Sequence, residues 1–249
     1  MRAKFLRKVL GFLFFLPAGM GQVAVAQDAE TIPAMNTLVP AFESSAPKRA
    51  AELRPYKRYF VESGIVEYII SGTQSGIEIA YFDRWGRREA RYTKSEVAGL
   101  GFSNTLTIID GEWIYTIHLD KKIGSKIKNE LLMKALEESS PEDKTPLGEK
   151  MMSLVGGEKI DNERIGEKMC DIWEIKHQGQ KFWIWNGIPL KSEQKTAFVD
   201  TTFAAVSLQA GALISEEKFK IPEDINFIEG NINDMLLSLL TFVEPKELR

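Results

Sequence analysis

Cysteine and histidine are almost missing from this chain: Cys170, His118 and His177 are all that its 249 residues provide. A single cysteine excludes an intrachain disulfide. The two histidines give no paired spacing for zinc. Cys170 stands beside Met169 in a strand pattern with no histidine close by, so a buried, inert thiol is expected rather than a nucleophile. A GxSxG elbow is absent too, since "GTQSG" (72–76) has the wrong spacing and reads as a hairpin loop. No glycine loop stands ahead of a helix to cradle phosphate. The acidic residues Glu137, Glu138, Glu142 and Asp143 surround Ser139, Ser140 and Pro141 and read as a solvated helix end, not a carboxylate pair in a cleft. The chain is therefore read as non-enzymatic, with no cofactor and no metal site.

Long apolar runs are equally scarce. The one at the amino terminus, "VLGFLFFLPAGMG", follows Arg2, Lys4, Arg7 and Lys8 and precedes the small residues "AVA". A basic start, a short apolar core and a small-x-small site read as a secretory signal peptide over 1–26, cleaved after Ala26. The run is too short for a permanent membrane helix. No cysteine stands near that site, so acylation of a new amino terminus is not expected. The expected location is the periplasm of a bacterium.

Removing residues 1–26 takes away four basic side chains and no acidic one, leaving 28 Lys plus Arg against 35 Asp plus Glu, a net charge of −7. That bears on "YFDRWGRREARY" (81–92), where Arg84, Arg87, Arg88 and Arg91 are interleaved with Tyr81, Phe82, Trp85 and Tyr92. The pattern resembles a single-strand binding groove, but a net acidic exported chain lacks the field for nucleic acid. The expectation is a solvated hairpin: "DRWG" as a type I turn, and the remaining arginines on a strand of mixed charge beside Glu89.

With 44% apolar and 10% aromatic residues, the chain has a globular composition. Residues 27–55, rich in Ala, Pro, Ser and Glu, read as a poorly ordered lead-in, and 56–249 as one β-rich domain. Strand and turn alternate from Gly64 onward. "GIVEYIIS", "IEIAYF" and "RREARYTK" are followed by "NTLTII" and "EWIYTIHL" around Asp110-Gly111, the strongest short hairpin signal. "MCDIWEIK" and "KFWIW" then flank "HQGQ", and Asn186-Gly187 turns into "IPLKSEQK"; "FAAVSLQA" and "EEKFKI" are further strand candidates. Helices are expected over "KIKNELLMKALEES", with Ile127, Leu131, Leu132, Ala135 and Leu136 on its apolar face, and over "TPLGEKMMSLVGG", with Thr145 as N-cap, Pro146 first in the helix and Gly156-Gly157 as its stop. A last helix is expected over "NINDMLLSLLTFV" (231–243).

The strands carry large aromatics on defined faces. Alternation sets Trp113, Tyr115, Ile117 and Leu119 on one side of "EWIYTIHL", and Trp183 and Trp185 on one side of "KFWIW" with Phe182 and Ile184 opposite. A strand apolar on both faces is covered on both, or faces a ligand on one. Aromatics are common in pocket linings and equally common as ordinary core. The candidate ligand-lining residues are Trp113, Tyr115, Ile117, Trp173, Trp183 and Trp185, with the flexible Met151 and Met152 beside them.

The segments "GIVEYIISG", "IEIAYFDRWGRREARY", "DGEWIYTIHLDKKIGSKIKN", "GEKMCDIWEI" and "WIWNGIPLKSE" resemble a family of uncharacterised exported bacterial proteins. The tail "AVSLQAGALISEEKFKIPEDINF" resembles the closing strands of the LolA/LolB lipoprotein-carrier-like superfamily. That resemblance implies a mainly β fold with some α: a strongly curved antiparallel half-barrel covered by a few amphipathic helices, with an apolar cavity between. Its members bind lipid or lipoprotein acyl chains there and rely on an arginine that secures the closed state; no motif assigns that arginine here. The lack of an acylated cysteine departs from the anchored LolB type and favours a soluble carrier or sensor. The leading expectation is a periplasmic, non-catalytic binding protein for an apolar or lipidic ligand, a lipid or lipoprotein carrier or sensor. The alternative is a cell-envelope interaction module whose partner is another protein. Neither involves nucleic acid or a permanent membrane span.

Overall fold

Period-two alternation between glycine-rich turns builds a meander, and the computed structural model, which describes residues 56–97, 101–139 and 145–228, shows twelve strands in one sheet. In chain order these are β1 (Gly64–Gly72), β2 (Gln74–Asp83), β3 (Arg88–Val97), β4 (Gly101–Asp110), β5 (Trp113–His118), β6 (Ile123–Lys128), β7 (Glu158–Ile165), β8 (Lys168–Ile175), β9 (Gln180–Trp185), β10 (Ile188–Lys195), β11 (Asp200–Ala210) and β12 (Asn226–Ile228). Two helices, α1 (Glu130–Glu137) and α2 (Leu147–Leu154), join β6 to β7. The sheet order is β12-β6-β5-β4-β3-β2-β1-β11-β10-β9-β8-β7. Two antiparallel meanders, β1–β6 and β7–β11, meet where β1 pairs with β11, Gly64 opposite Ala210. The outermost strands β12 and β7 do not pair with each other. The fold is a mainly β, curved half-barrel carrying two helices.

The helices show which way the sheet curves. Leu131 of α1 packs on Ile109, Ile114 and Ile127 of β4–β6. Met152 of α2 packs on Trp173, Ile175 and Phe182 of β8 and β9. Leu132 and Ala135 of α1 meet Leu147 and Met151 of α2. From β5 to β9 is seven strand spacings, about 34 Å in a flat sheet, whereas packed helices lie about 8–10 Å apart. A single helix pair can rest on both wings only if the sheet wraps towards it, so the helices lie on the concave side.

Two chain segments strap the sheet. Before β1, residues 56–62 cross its end: Trp85 O accepts from Arg58 N (3.0 Å) and Tyr59 N (3.1 Å), and Phe60 N donates to Asn186 O (2.9 Å). After β11, residues 211–228 cross the opposite face, where Ile214, Phe219, Ile221, Ile225 and Phe227 cover Ala90, Leu106, Ile108 and Ile117. This strap ends as β12, parallel to β6.

Several elements differ from the sequence expectation. β6, read in part as the start of a helix, is a strand; Ile127 and Leu131 do pack on the same patch of Ile109 and Ile114, but across a junction at Asn129, whose side chain accepts from Leu132 N at 3.2 Å and caps α1. β7 has no apolar alternation to announce it, being a charged, exposed edge strand of the kind that resists further pairing. "EEKFKI" is no strand; Glu216–Phe219 forms a 3-10 turn. Pro146, not Thr145, is the N-cap of α2. "DRWG" is not a type I turn, because Arg84 (φ 51°), Trp85 (φ 61°) and Gly86 (φ 76°) are all left-handed. The strap's bonds to Trp85 and the Tyr59 ring against Gly86 hold that conformation. The expected signal peptide, the lead-in to residue 55 and the helix over 231–243 lie outside the described residues.

Candidate functional site

The hairpin expected to be solvated is where the concave face carries its charge. Arg88 and Arg91 are both buried. Arg88 lies on the outer face, bonded to Asp83 and to Glu216 (2.5 Å) above the Phe219 ring. Arg91 points inward at the sheet's centre, donating to Glu89 (2.6 Å) and Glu78 (2.7 Å). Glu78 also accepts from Thr93 (2.8 Å). Glu89 accepts from the Tyr59 hydroxyl (2.6 Å) and pairs with Arg58 (3.0 Å), so the N-terminal strap supplies two of its three partners. Two arginines and two glutamates balance in charge, which is what makes their burial tolerable.

The two carboxylates are not alike. Burial pushes the Glu78 carboxyl upward, and Arg91 and the Thr93 hydroxyl only partly offset it. Burial presses Glu89 in the same direction, but Arg91, Arg58 and the hydrogen bond from Tyr59 outweigh it and hold Glu89 below the usual carboxylate range. Desolvation, reinforced by Glu89, pushes the Tyr59 hydroxyl up to about 12. Arg91, despite a burial that opposes its charge, is held well above its ordinary value by Glu89 and Glu78. The hydrogen bonds and ion pairs of the cluster clamp the strap to the sheet.

On either side of this ionic centre the concave face carries apolar patches covered by helices, Ile109 and Ile114 under α1 and Trp173 and Phe182 under α2. Between α2 and β8–β9 lies a pocket of about 140 Å³ lined by Met152, Trp173 and Ile184, with Arg58, Glu149 and Asp171 at its polar side. It is smaller than the roughly 300 Å³ at which drug-sized ligand sites begin. A wider groove of about 580 Å³ runs past Lys94, Glu96, Phe102 and Asp120. Among the described residues no group of three His, Cys, Asp or Glu is placed to hold a metal, and no helix is long and apolar enough to cross a membrane. Cys170 is buried, with its thiol pushed up by desolvation.

The residues singled out from sequence fall into separate places. Met152 and Trp173 meet at the pocket, and Met151 stands next to them in the helix–helix contact. Ile117 and Tyr115 lie on the opposite face of β5, under the C-terminal strap. Trp113 is on that same face with Lys126 4.1 Å from its ring. Trp183 turns away from Phe182 and packs in the cluster of Cys170, Ile172, Ile188 and Leu190, donating to Glu163 at 2.6 Å; Trp185 borders that cluster. Both faces of β9 are thus buried, and the tryptophans are divided among three surroundings. Arg58, Tyr59, Glu78, Glu89 and Arg91 were not foreseen as a group. Glu78 is fully buried while Ile77 beside it is half exposed, so "IEIAYF" is oriented the other way round from its apolar alternation. The available signal was that Glu89, Arg91 and Thr93 share one face of β3.

No protein-family model matches the chain, and no curated protein does. Among solved structures, an uncharacterised conserved protein from Thermus thermophilus aligns over 68% of this chain and 91% of its own, at 11% identity and a TM-score of 0.45. MucB from Pseudomonas aeruginosa, also solved in complex with MucA, aligns over 66% of this chain at 13% identity and a TM-score of 0.34; this chain spans 58% of its length. A putative outer membrane lipoprotein-sorting protein domain from Vibrio parahaemolyticus aligns over 65% of this chain and 91% of its own, at 12% identity and a TM-score of 0.30.

Proposed function

We propose that the chain is an exported, non-catalytic envelope protein that takes an acyl-type ligand between the helix pair and the concave face of its sheet. The observation that carries this reading is the pocket between α2 and β8–β9, where Met152, Trp173 and Ile184 face one another under a helix that the sheet does not hold in a ladder. Met151 and Met152 stand side by side where α2 meets α1 and the sheet, and their unbranched side chains can repack as the helix lifts. Lifting α2 would enlarge the small pocket along Ile175 and Phe182, giving an acyl chain an apolar wall. The ionic centre would stay in place as the floor. Tyr115, Ile117, Trp113, Trp183 and Trp185 serve as structure in this reading.

Native mass spectrometry of the chain, purified from a periplasm without detergent, tests it, followed by lipid extraction and titration with palmitate. Expected are a bound mass that extracts as lipid and a change in Trp173 fluorescence. Filling the pocket with Met152→Trp should weaken palmitate about tenfold or more with the fold intact. A clean apo mass together with no response to palmitate would sink the reading.

A further inference from the structure

Past the apolar patch under α2, the concave face ends in a row of buried, uncharged polar side chains. Gln180 of β9 is the cross-strand partner of Gln194 of β10, which in turn faces Thr201 of β11; all three are almost wholly buried. Gln178, in the turn that leads into β9, is buried too. Three amide atoms of this group, Gln178 Oε1, Gln180 Nε2 and Gln194 Oε1, are enclosed and have no hydrogen-bond partner among the described residues. Further along the same end of the sheet Gln74 is satisfied, donating to Ser95 Oγ at 2.7 Å; the other enclosed, unpartnered side-chain atoms among the described residues belong to Tyr56, Thr107 and His118, so the orphaned amides are those around β9 and β10.

Position and chemistry both bear on a ligand. Gln180 shares its face of β9 with Phe182 and Ile184, so the glutamines continue the wall that begins at the pocket. The end of α2 closes above them, with Gly156 against His177 next to Gln178. Buried amides are nearly always hydrogen-bonded, and an apolar isostere would remove the penalty of leaving them unpaired. Two such amides side by side on β9 and β10, with a third in the turn before β9, all neutral and offering both donors and acceptors, suit a neutral hydrogen-bonding group rather than an ion.

We propose that this row binds the uncharged, hydroxyl- or amide-bearing headgroup of an amphiphile whose acyl chain lies against Trp173, Phe182 and Ile184. The inference rests on the acyl-binding reading above and adds the ligand's polar end to it.

The test compares monopalmitoylglycerol with palmitate on the wild-type chain and on Gln180→Leu/Gln194→Leu, by isothermal titration. Expected is a preference of about tenfold for monopalmitoylglycerol, lost in the double variant while palmitate binding is kept. Should the double variant not fold, Gln194→Met alone carries the same comparison. Equal binding of the two probes by wild type, or a preference that survives the substitutions, would overturn the proposal and leave the row as hydrated structure. Failure of both probes to bind wild type would overturn the acyl-binding reading as well.

Discussion

Replacing Arg91 by methionine should destabilise the chain more than any surface change, and the loss should shrink in acid. Arg91 is the cation shared by Glu78 and Glu89, at 2.7 and 2.6 Å, and both carboxylates are buried. Methionine fills much of the same volume but leaves two carboxylates with Arg58 as their one close cation among the described residues. Removing one partner of a buried pair costs about 3–5 kcal/mol, which for a domain of this size lowers Tm by about 6–20 °C. The pH dependence follows from the directions of shift. In the wild type Glu89 is held low, so its contribution is full above the ordinary glutamate range and is lost as pH falls through its folded value. In Arg91→Met the opposing guanidinium is gone, burial dominates, and both carboxyls rise. The folded variant then binds protons more readily than the unfolded chain, so its stability increases as pH falls. Urea unfolding followed by tryptophan fluorescence at about pH 7 and about pH 5 would show the gap between variant and wild type narrowing. A loss below about 1 kcal/mol at neutral pH, the value of an exposed pair, or a gap that does not narrow, would refute the account of a charge-balanced buried cluster.

Two further outcomes follow from geometry. Gly187→Ala should destabilise by more than about 1 kcal/mol in the same urea assay, because Gly187 has φ +81° and a Cβ there would lie 2.4 Å from Arg58 O; a neutral result would mean that the N-terminal strap is not seated on this turn. Cys170, buried with a raised thiol pKa, should react with a thiol reagent in the native chain orders of magnitude more slowly than in urea, and comparable rates would show that β7–β8 opens readily.

The meander was legible because its signals are local. "EWIYTIHL" and "KFWIW" carry clear strand patterns, Asn186-Gly187 supplies left-handed backbone, and within each meander, β1–β6 and β7–β11, every strand pairs with its neighbour in sequence. β7 and β6 were not, the first because an exposed edge has no apolar stripe, the second because Ile127 and Leu131 mimic helical spacing across a strand-to-helix junction. Met152 and Trp173 could be named as lining residues from composition, but their meeting depends on a helix that reaches the far wing of the sheet. The ionic centre was hidden for a sharper reason. Charge on a strand ordinarily reads as solvent-facing, and only the register that sets Ala80 opposite Arg91 and Glu78 opposite Thr93 reveals that these charges neutralise one another inside.

A closed barrel has its radius fixed by strand number and shear; this sheet, open between β12 and β7, has no such closure. The gap between its wings is instead set by the width of the helix pair that spans them. At the heart of that spacer is Ala135, fully buried with Leu132 against Leu147 and Met151, a side chain small enough to let the helices approach closely. The α1–α2 contact is thus a gauge for the whole half-barrel: a bulkier residue at 135 would push the wings apart, and the volume available inside would follow from a single interhelical distance rather than from the hydrogen-bonded frame.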